Sequence, residues 1–336
     1  MAFRWPRVVR AALAVFAAGV AATVYVAMGE REAPPAVLTS ARTDPDAVAE
    51  THGGVSRIAR GATEDFTLDY ARALSYADGT LRFEAVTVRV PPRNGQGFTV
   101  TGRTARVTND QQHVAVEGDV RLTGTDGLVV VSDRATYEHD GGIVRVPGPV
   151  AFERGRLRGR GVGAVYDRVR DVLSLLAEAR VAVEADAATG SGELALSADR
   201  AVFARGDRYV QAEGAARVER DGAVLEGDTI VARLAAADDR VERLEVRGRA
   251  SLRPKSAPPG GLAAMSAADM ALAYAEDGRT LRQATLAGEA RVELAGAAGQ
   301  AGRRLAADWA DIALAADGAT VSALSARDRV ELHLPG

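Results

Sequence analysis

The feature that most constrains this chain is a phrase that recurs along it: apolar, polar, apolar, polar, Gly or a small residue, polar, apolar. It reads Val114-Ala-Val-Glu-Gly118-Asp-Val120-Arg-Leu122, then Val144-Arg-Val-Pro-Gly148-Pro-Val150-Ala-Phe152 and Val210-Gln-Ala-Glu-Gly214-Ala-Ala216-Arg-Val218. Later copies begin at Leu244, Leu286 and Leu324, a degenerate copy begins at Leu175, and one with slipped phase covers Leu81 to Val90. Following the Gly118 position through Gly148, Ala179, Gly214, Gly248, Gly288 and Asp328 gives steps of 30, 31, 35, 34, 40 and 40 residues. Self-similarity of this length marks a repeating architecture. The steps are too uneven for a strict solenoid and suit hairpin units with turns of varying length. The slip at Ala85-Val86 has the form of a β-bulge.

Each phrase follows a second strand-like run and a turn. Leu128 to Tyr137 leads into Asp140-Gly141-Gly142, Ala195 to Phe203 into Arg205-Gly206-Asp207, and Met270 to Tyr274 into Glu276-Asp277-Gly278. Asp-Gly and Gly-Asp between alternating runs are hairpin signals. Eight two-strand units predict roughly sixteen antiparallel strands. Asp167 to Ala188 argues the other way, because Ala, Leu, Arg and Glu favour helix. The repeat assigns a turn and a strand there, and the repeat is followed.

Period-2 alternation sends one face of each strand to apolar contacts and the other to charge. Glu117, Asp119, Arg121, Arg145, Glu153, Glu245, Arg247, Arg249 and Arg253 make the charged face, read as a solvated exterior. The inner face is Val, Leu, Ala and Gly, with Phe83 and Phe152 as larger exceptions. Small side chains contribute far less burial energy than Leu or Phe. Two readings stay open on pattern alone: sheets packed close over a filled core, or an apolar groove.

The N-terminus carries Arg4, Arg7 and Arg10 before an uncharged run from Ala11 to Met28. Eighteen helical residues span about 27 Å, close to the ~30 Å hydrocarbon core. A cleaved signal has the same basic front. However, Tyr25 stands at −3 from Ala27 and Arg31 at −3 from Ala33, so an uncleaved anchor is preferred. Basic residues stay cytoplasmic, which sends the rest across the membrane. The expected layout is a basic stub (1–10), an anchor (11–28), a Pro- and Gly-broken linker (29–64) with a short entry strand near Val55 to Ile58, and the β domain beyond.

Many chemistries lack their residues. There is no Cys, and Lys255 is the only Lys beside 41 Arg, which removes thiol chemistry and nearly every candidate for a catalytic Lys. Net charge is −3, too even for a nucleic-acid binder. His52, His113, His139 and His333 have no partners at ligand spacing. Gly159-Arg-Gly161-Val-Gly163-Ala164 brushes a dinucleotide fingerprint but opens no helix, so it is read as a Gly-lined strand or turn. No phosphate loop and no Gly-x-Ser-x-Gly elbow is present. An acid pair of the glycosidase kind would have to hide among the alternating polar positions.

A basic single-span anchor, a linker and an antiparallel repeat with Gly at the strand centre together resemble LptC, the bitopic inner-membrane component of lipopolysaccharide transport. Runs such as Ser132-Asp-Arg-Ala135-Thr-Tyr137, Ser197-Ala-Asp-Arg-Ala201-Val-Phe203 and Ala306-Ala-Asp-Trp-Ala310-Asp-Ile312, each leading to such a strand, carry this resemblance. They also look like the OstA-type, LptA-like β domain. The resemblance covers roughly residues 65 to 336 plus the anchor.

It implies an elongated, V-shaped antiparallel β-jellyroll, open along one side, with lipid acyl chains held between its sheets. It implies lipopolysaccharide as cargo, an LptA-like periplasmic bridge protein as the next carrier, and an inner-membrane transporter of the LptB/LptF/LptG type as the energy source. It implies no cofactor, no metal and no catalysis on this chain. Residues expected to line the groove are Phe83, Val114, Val116, Val120, Leu122, Val144, Val146, Val150, Phe152, Leu244, Val246, Leu252, Leu286 and Val292. The chain is long for a simple LptC. Residues 65–253 are therefore expected to be the LptC-like jellyroll, and 254–336 its continuation or an added LptA-like part, with a seam at Arg253-Pro-Lys-Ser-Ala-Pro-Pro-Gly-Gly261. The alternative is a membrane-anchored structural β scaffold with a filled core.

Overall fold

The computed structural model describes residues 44–336 apart from 61–62, 94–95, 110–112, 139–140, 168, 186–191, 236–239, 298–299, 301 and 335–336. The basic stub and the apolar run 11–28 lie outside the described residues. Ala47–Gly336 form one compact unit, and every regular element described in it is a strand.

The first nine strands are β1 (Ala47–Arg60), β2 (Thr63–Tyr76), β3 (Leu81–Arg93), β4 (Gln96–Val107), β5 (His113–Gly124), β6 (Val129–Glu138), β7 (Ile143–Arg154), β8 (Leu157–Asp167) and β9 (Val172–Val183). They continue as β10 (Leu194–Ala198), β11 (Arg200–Ala204), β12 (Tyr209–Arg220), β13 (Ala223–Leu234), β14 (Val241–Arg253) and β15 (Leu262–Tyr274). The last are β16 (Leu281–Leu294), β17 (Arg303–Leu314), β18 (Val321–Arg327) and β19 (Glu331–His333). They form one 19-stranded sheet. It is an antiparallel meander with two interruptions: β10 and β11 share one position between β9 and β12, and β18 and β19 share one beside β17.

Most of these strands are folded at mid-length. In β5 the register against β6 jumps between Glu117 and Val120, where Gly118 (φ +77°) and Asp119 (φ +51°) are both left-handed. The same pair recurs at Gly214/Ala215, Gly248/Arg249 and Gly288/Glu289, and closes the sheet as Asp328/Arg329. Two consecutive left-handed residues kink the strand, and the bulges stack across the sheet as a crease. The first position favours Gly for two reasons. A Cβ in this conformation costs about 1–2 kcal/mol, and the neighbouring strand presses a side chain into the space. A Cβ on Gly118 would run into Arg103, one on Gly214 into Asp199, and one on Gly248 into Asp228. The recurring Gly of the sequence is thus the crease. Gly148 is the exception: it is not left-handed, nothing lies within 4 Å of its Cβ position, and the register shift falls beside Pro149. In the degenerate copies, Ala85 (φ +50°) and Glu178 (φ +50°) take the left-handed place.

Three expectations change in detail. Roughly sixteen strands become nineteen, because two positions are broken at the crease and β1 adds another in the segment read as linker. The segment read as linker ends earlier: β1 occupies Ala47–Arg60 and pairs with β2 from Ala47/Tyr76 to Arg60/Thr63. His52-Gly53-Gly54, read there as a breaker, lies inside β1, with Gly53 at φ +62°, Gly54 packed beneath the Tyr70 ring, and pairing to β2 unbroken from His52/Arg72 to Gly54/Tyr70. Arg253–Gly261 is a hairpin connection within a continuous sheet, since β14 pairs with β15 from Arg243/Ala273 to Leu252/Met265. The helix-prone segment is strand β9, with Leu175, Ala179 and Val181 buried. Pairing on both sides outweighs a helix preference of a few tenths of a kcal/mol per residue.

The crease divides each strand into two arms whose inner faces pack on one another. Residues from both arms, such as Val246 and Leu252 of β14 or Leu286 and Val292 of β16, fall in one buried cluster.

Candidate functional site

The inner face is a set of cross-strand rows. On the second arm one row runs Leu68, Val88, Val100, Leu122, Val130, Phe152, Gly159, Val181, Leu196, Val218, Leu225, Leu252, Met265, Val292, Leu305 and Leu332, each opposite the next. No polar side chain interrupts it. On the first arm, the row further from the crease runs from Leu81 through Val107, Val114, Tyr137, Val144 and Tyr166 towards Leu244, Leu272 and Ile312. Period-2 alternation produces this, because every strand presents its apolar set to one side.

All fourteen residues expected to line a groove lie on this inner face. Near the crease, Phe83, Val116, Val120, Val146, Val150 and Val246 are buried. Further out, Val114, Leu122, Val144, Phe152 and Leu244 are half-buried. Leu252, Leu286 and Val292 are buried, the last two at 0% and 1% exposure. The outward set behaves as read, with Glu117, Arg121, Arg145 and Arg247 exposed. The rows also take in residues outside that set, among them Val88, Val100 and Val130 in the half-buried stretch. Val130 sits in the run Val129-Val130-Val131, which shows no alternation from which to choose a face; the register against Leu122 chooses it.

The inner face has two settings. Across β3–β7 the second-arm row from Val88 to Phe152 is half-buried at every position, and so is the facing row from Leu81 to Val144. The buried cluster beneath β3–β5 is small: Leu68, Phe83, Val86, Ala105, Val116 and Val120, while Val130 of β6 and Phe152 of β7 pack against the larger cluster that continues to β17. Tyr70 and Phe83 meet there, ring centroids 5.2 Å apart and tilted by 55°. Across β15–β17 the rows are closed at every position but Leu305, which is half-buried, with Met265 at 2%, Leu272 at 0% and Ile312 at 0% exposure. These belong to a continuous cluster reaching from Val146 to Leu314.

Gly residues tune the depth. Gly102 leaves room for Val116, Gly227 for Val246, and Gly159 lies directly under the Phe152 ring. The Gly159–Ala164 fingerprint is therefore a Gly-lined strand within β8, with Gly163 (φ +74°) left-handed.

The exterior is charged and largely paired. Arg249 binds Asp228 and Arg329 binds Asp308, both across the crease and 21 residues apart in the chain. Arg103 lies 3.2 Å from Asp119 in the equivalent place. Such exposed pairs contribute little to stability. Asp277 and Asp317 are held down to about 2 by Thr280 and Thr320, whose hydroxyls and backbone N–H groups donate to them in two tight turns. His52 lies 3.2 Å from Glu50, and His113 and His333 are exposed; His139 lies outside the described residues. Among the described residues no three His, Asp or Glu side chains gather at metal-binding range. Among them, too, no helix is long and apolar enough to cross a membrane.

The family model for LptC, described as lipopolysaccharide-assembly and LptC-related, matches residues 13–184, just over half of the chain. The chain belongs to the LptC family. Membership places it in lipopolysaccharide transport, in a family of envelope transport components rather than of enzymes. The match ends at the last residues of β9, so the LptC region contains the whole half-buried stretch β3–β7. No curated protein matches the chain.

Proposed function

We propose that this LptC-family chain accepts the acyl chains of lipopolysaccharide against the inner face of β3–β7 and passes them to an LptA-like periplasmic bridge protein. The run 11–28 anchors it in the inner membrane, with the β unit in the periplasm beside a transporter of the LptB/LptF/LptG type that supplies the energy. The observation that carries this reading is the facing pair of half-buried apolar rows, Val88 to Phe152 and Leu81 to Val144. An apolar stripe of this length left only half-buried calls for a partner or ligand, and aliphatic walls suit acyl chains, each buried CH2 being worth roughly 0.8 kcal/mol. No step on this chain makes or breaks a bond.

The test is native mass spectrometry of the full chain purified in detergent from a lipopolysaccharide-producing envelope. A lipid A-bearing species in near-stoichiometric amount is expected, and Leu122→Trp with Val130→Trp is expected to remove it while the protein stays folded. A folded, lipid-free chain that also refuses added lipopolysaccharide contradicts the reading. That result favours the scaffold with a filled core, which the sealed cluster across β15–β17 supports for its own part of the sheet.

A further inference from the structure

The outer face of the second arm carries a hollow of about 560 Å³ across β5–β12. It lies on the opposite side of the sheet from the rows just described, and its argument does not depend on them. One outward row through it reads Arg121, Val131, Ala151, Arg160 and Arg180, each directly opposite the next. Arg160 and Arg180 therefore face each other on adjacent strands, where opposed residues lie about 5 Å apart. Like charges so placed are destabilising. Many outward arginines elsewhere are held by carboxylates, as Arg134 is by Glu117 and Arg249 by Asp228. Among the described residues, Arg121, Arg160 and Arg180 have no such partner.

The lining holds five Arg and two Glu, and one of those Glu, Glu219, is 3.4 Å from Arg217. The other, Glu153, stands opposite Arg158. Between the bare arginines the surface is apolar: Val131 is 42% exposed, and Ala151 is exposed beside it. A concave site with a surplus of guanidinium groups and an aliphatic patch matches an anion that carries a hydrocarbon part. Paired Arg forks suit the tetrahedral oxygens of a phosphate, and the volume suits one headgroup rather than a protein surface.

We propose that this hollow binds the phosphate of an anionic lipid headgroup. Arg160 and Arg180 grip the phosphate oxygens, Arg121 adds charge, and Val131 and Ala151 cover the first carbons beyond the ester.

The chain has no Cys, so Thr123→Cys, beside the hollow, takes a single environment-sensitive dye. The full chain in neutral phosphatidylcholine nanodiscs is titrated with soluble dihexanoyl phosphatidic acid. In parallel it meets dihexanoyl phosphatidylcholine, inorganic phosphate and hexaglutamate. A saturable response to phosphatidic acid alone is expected, weakened about tenfold by Arg160→Gln and by Arg180→Gln, in line with the loss of one charge-assisted hydrogen bond. Circular dichroism and melting establish that both variants fold, and Arg121→Gln gives a third, smaller loss. The proposal is overturned by no saturable response, by unchanged binding in the Gln variants, by inorganic phosphate binding as tightly as the lipid, or by hexaglutamate binding more tightly.

Discussion

The stretches β3–β7 and β15–β17 use the same creased strand, the same alternation and the same hairpin order, yet one leaves its inner rows half-buried and the other seals them. The crease is common to both: Gly118/Asp119 in the first stretch and Gly288/Glu289 in the second have φ values within a few degrees of each other. What differs is how far the inner face is covered. The first stretch presents Val88, Val100, Leu122, Val130 and Phe152, all half-buried, with Gly102 and Ala105 near the crease. The second presents Met265, Met270, Leu272, Leu286 and Ile312, buried in one cluster with Ala284, Ala290 and Ala310. Backbone geometry thus sets the two arms, and the cover from the facing arm decides whether they close. One repeat can in this way supply both an open stretch and a sealed one.

The largest expected effect breaks the sealed stretch. Leu286→Ala, at 0% exposure, is expected to cost about 2–5 kcal/mol in denaturant unfolding. Leu122→Ala, half-buried in the open stretch, is expected to cost less than half as much. Equal losses would erase the distinction between the two settings. The crease itself should matter alike in both stretches. Gly118→Ala and Gly288→Ala are each expected to lose at least about 1–2 kcal/mol from the left-handed backbone, with contacts against Arg103 and Ala268 added. Gly148→Ala, with open space and no left-handed φ, is expected to be nearly neutral. A costly Gly148→Ala would show that β7 creases as the other strands do.

The smallest effect is a response to acid. Asp277 and Asp317, in the β15–β16 and β17–β18 turns, have folded values of about 2 against an ordinary 3.8, and Asp78 and Asp126 in the turns before β3 and β6 are lowered as well. A depressed carboxylate contributes stability that is present above the unfolded value and is lost as pH falls through the folded one. Melting temperature is therefore expected to fall between about pH 4 and pH 2, and less so in the Asp277→Asn/Asp317→Asn double variant. Identical pH profiles for the two proteins would contradict the assignment.

Much of this arrangement was legible in the amino-acid order because it is local. Alternation places Val116 inward and Glu117 outward, and the recurring Gly stands out at the strand centre, although that it creases the strand shows only in the backbone. The Asp-to-Arg spacing of 21 that clamps the crease at Asp228/Arg249 and Asp308/Arg329 was present too, in the Asp-bearing runs that precede each phrase. Strand β1 was hidden, because Gly53-Gly54 reads as a breaker unless β2 is known to pair with it. The open and sealed settings were also hidden. Val246 and Val116 occupy equivalent places in the phrase, and only the residues packed from the facing arm make one 0% and the other 7% exposed. The outer hollow depends on register in the same way: Arg160 and Arg180 are unremarkable in sequence and become opposed only through the β8–β9 pairing.

The most direct test of the central claim is a position scan along the second-arm row with a small diazirine amino acid in the full chain, carried out in a lipopolysaccharide-producing envelope. Sites at Leu122, Val130, Met265 and Val292 share one row and differ only in setting, and Glu117, exposed and away from the outer hollow, reports the outer face. The account predicts lipopolysaccharide adducts at Leu122 and Val130, with none at Met265, Val292 or Glu117. Adducts of equal yield along the whole row, or on Glu117 as strongly as on Leu122, would contradict it.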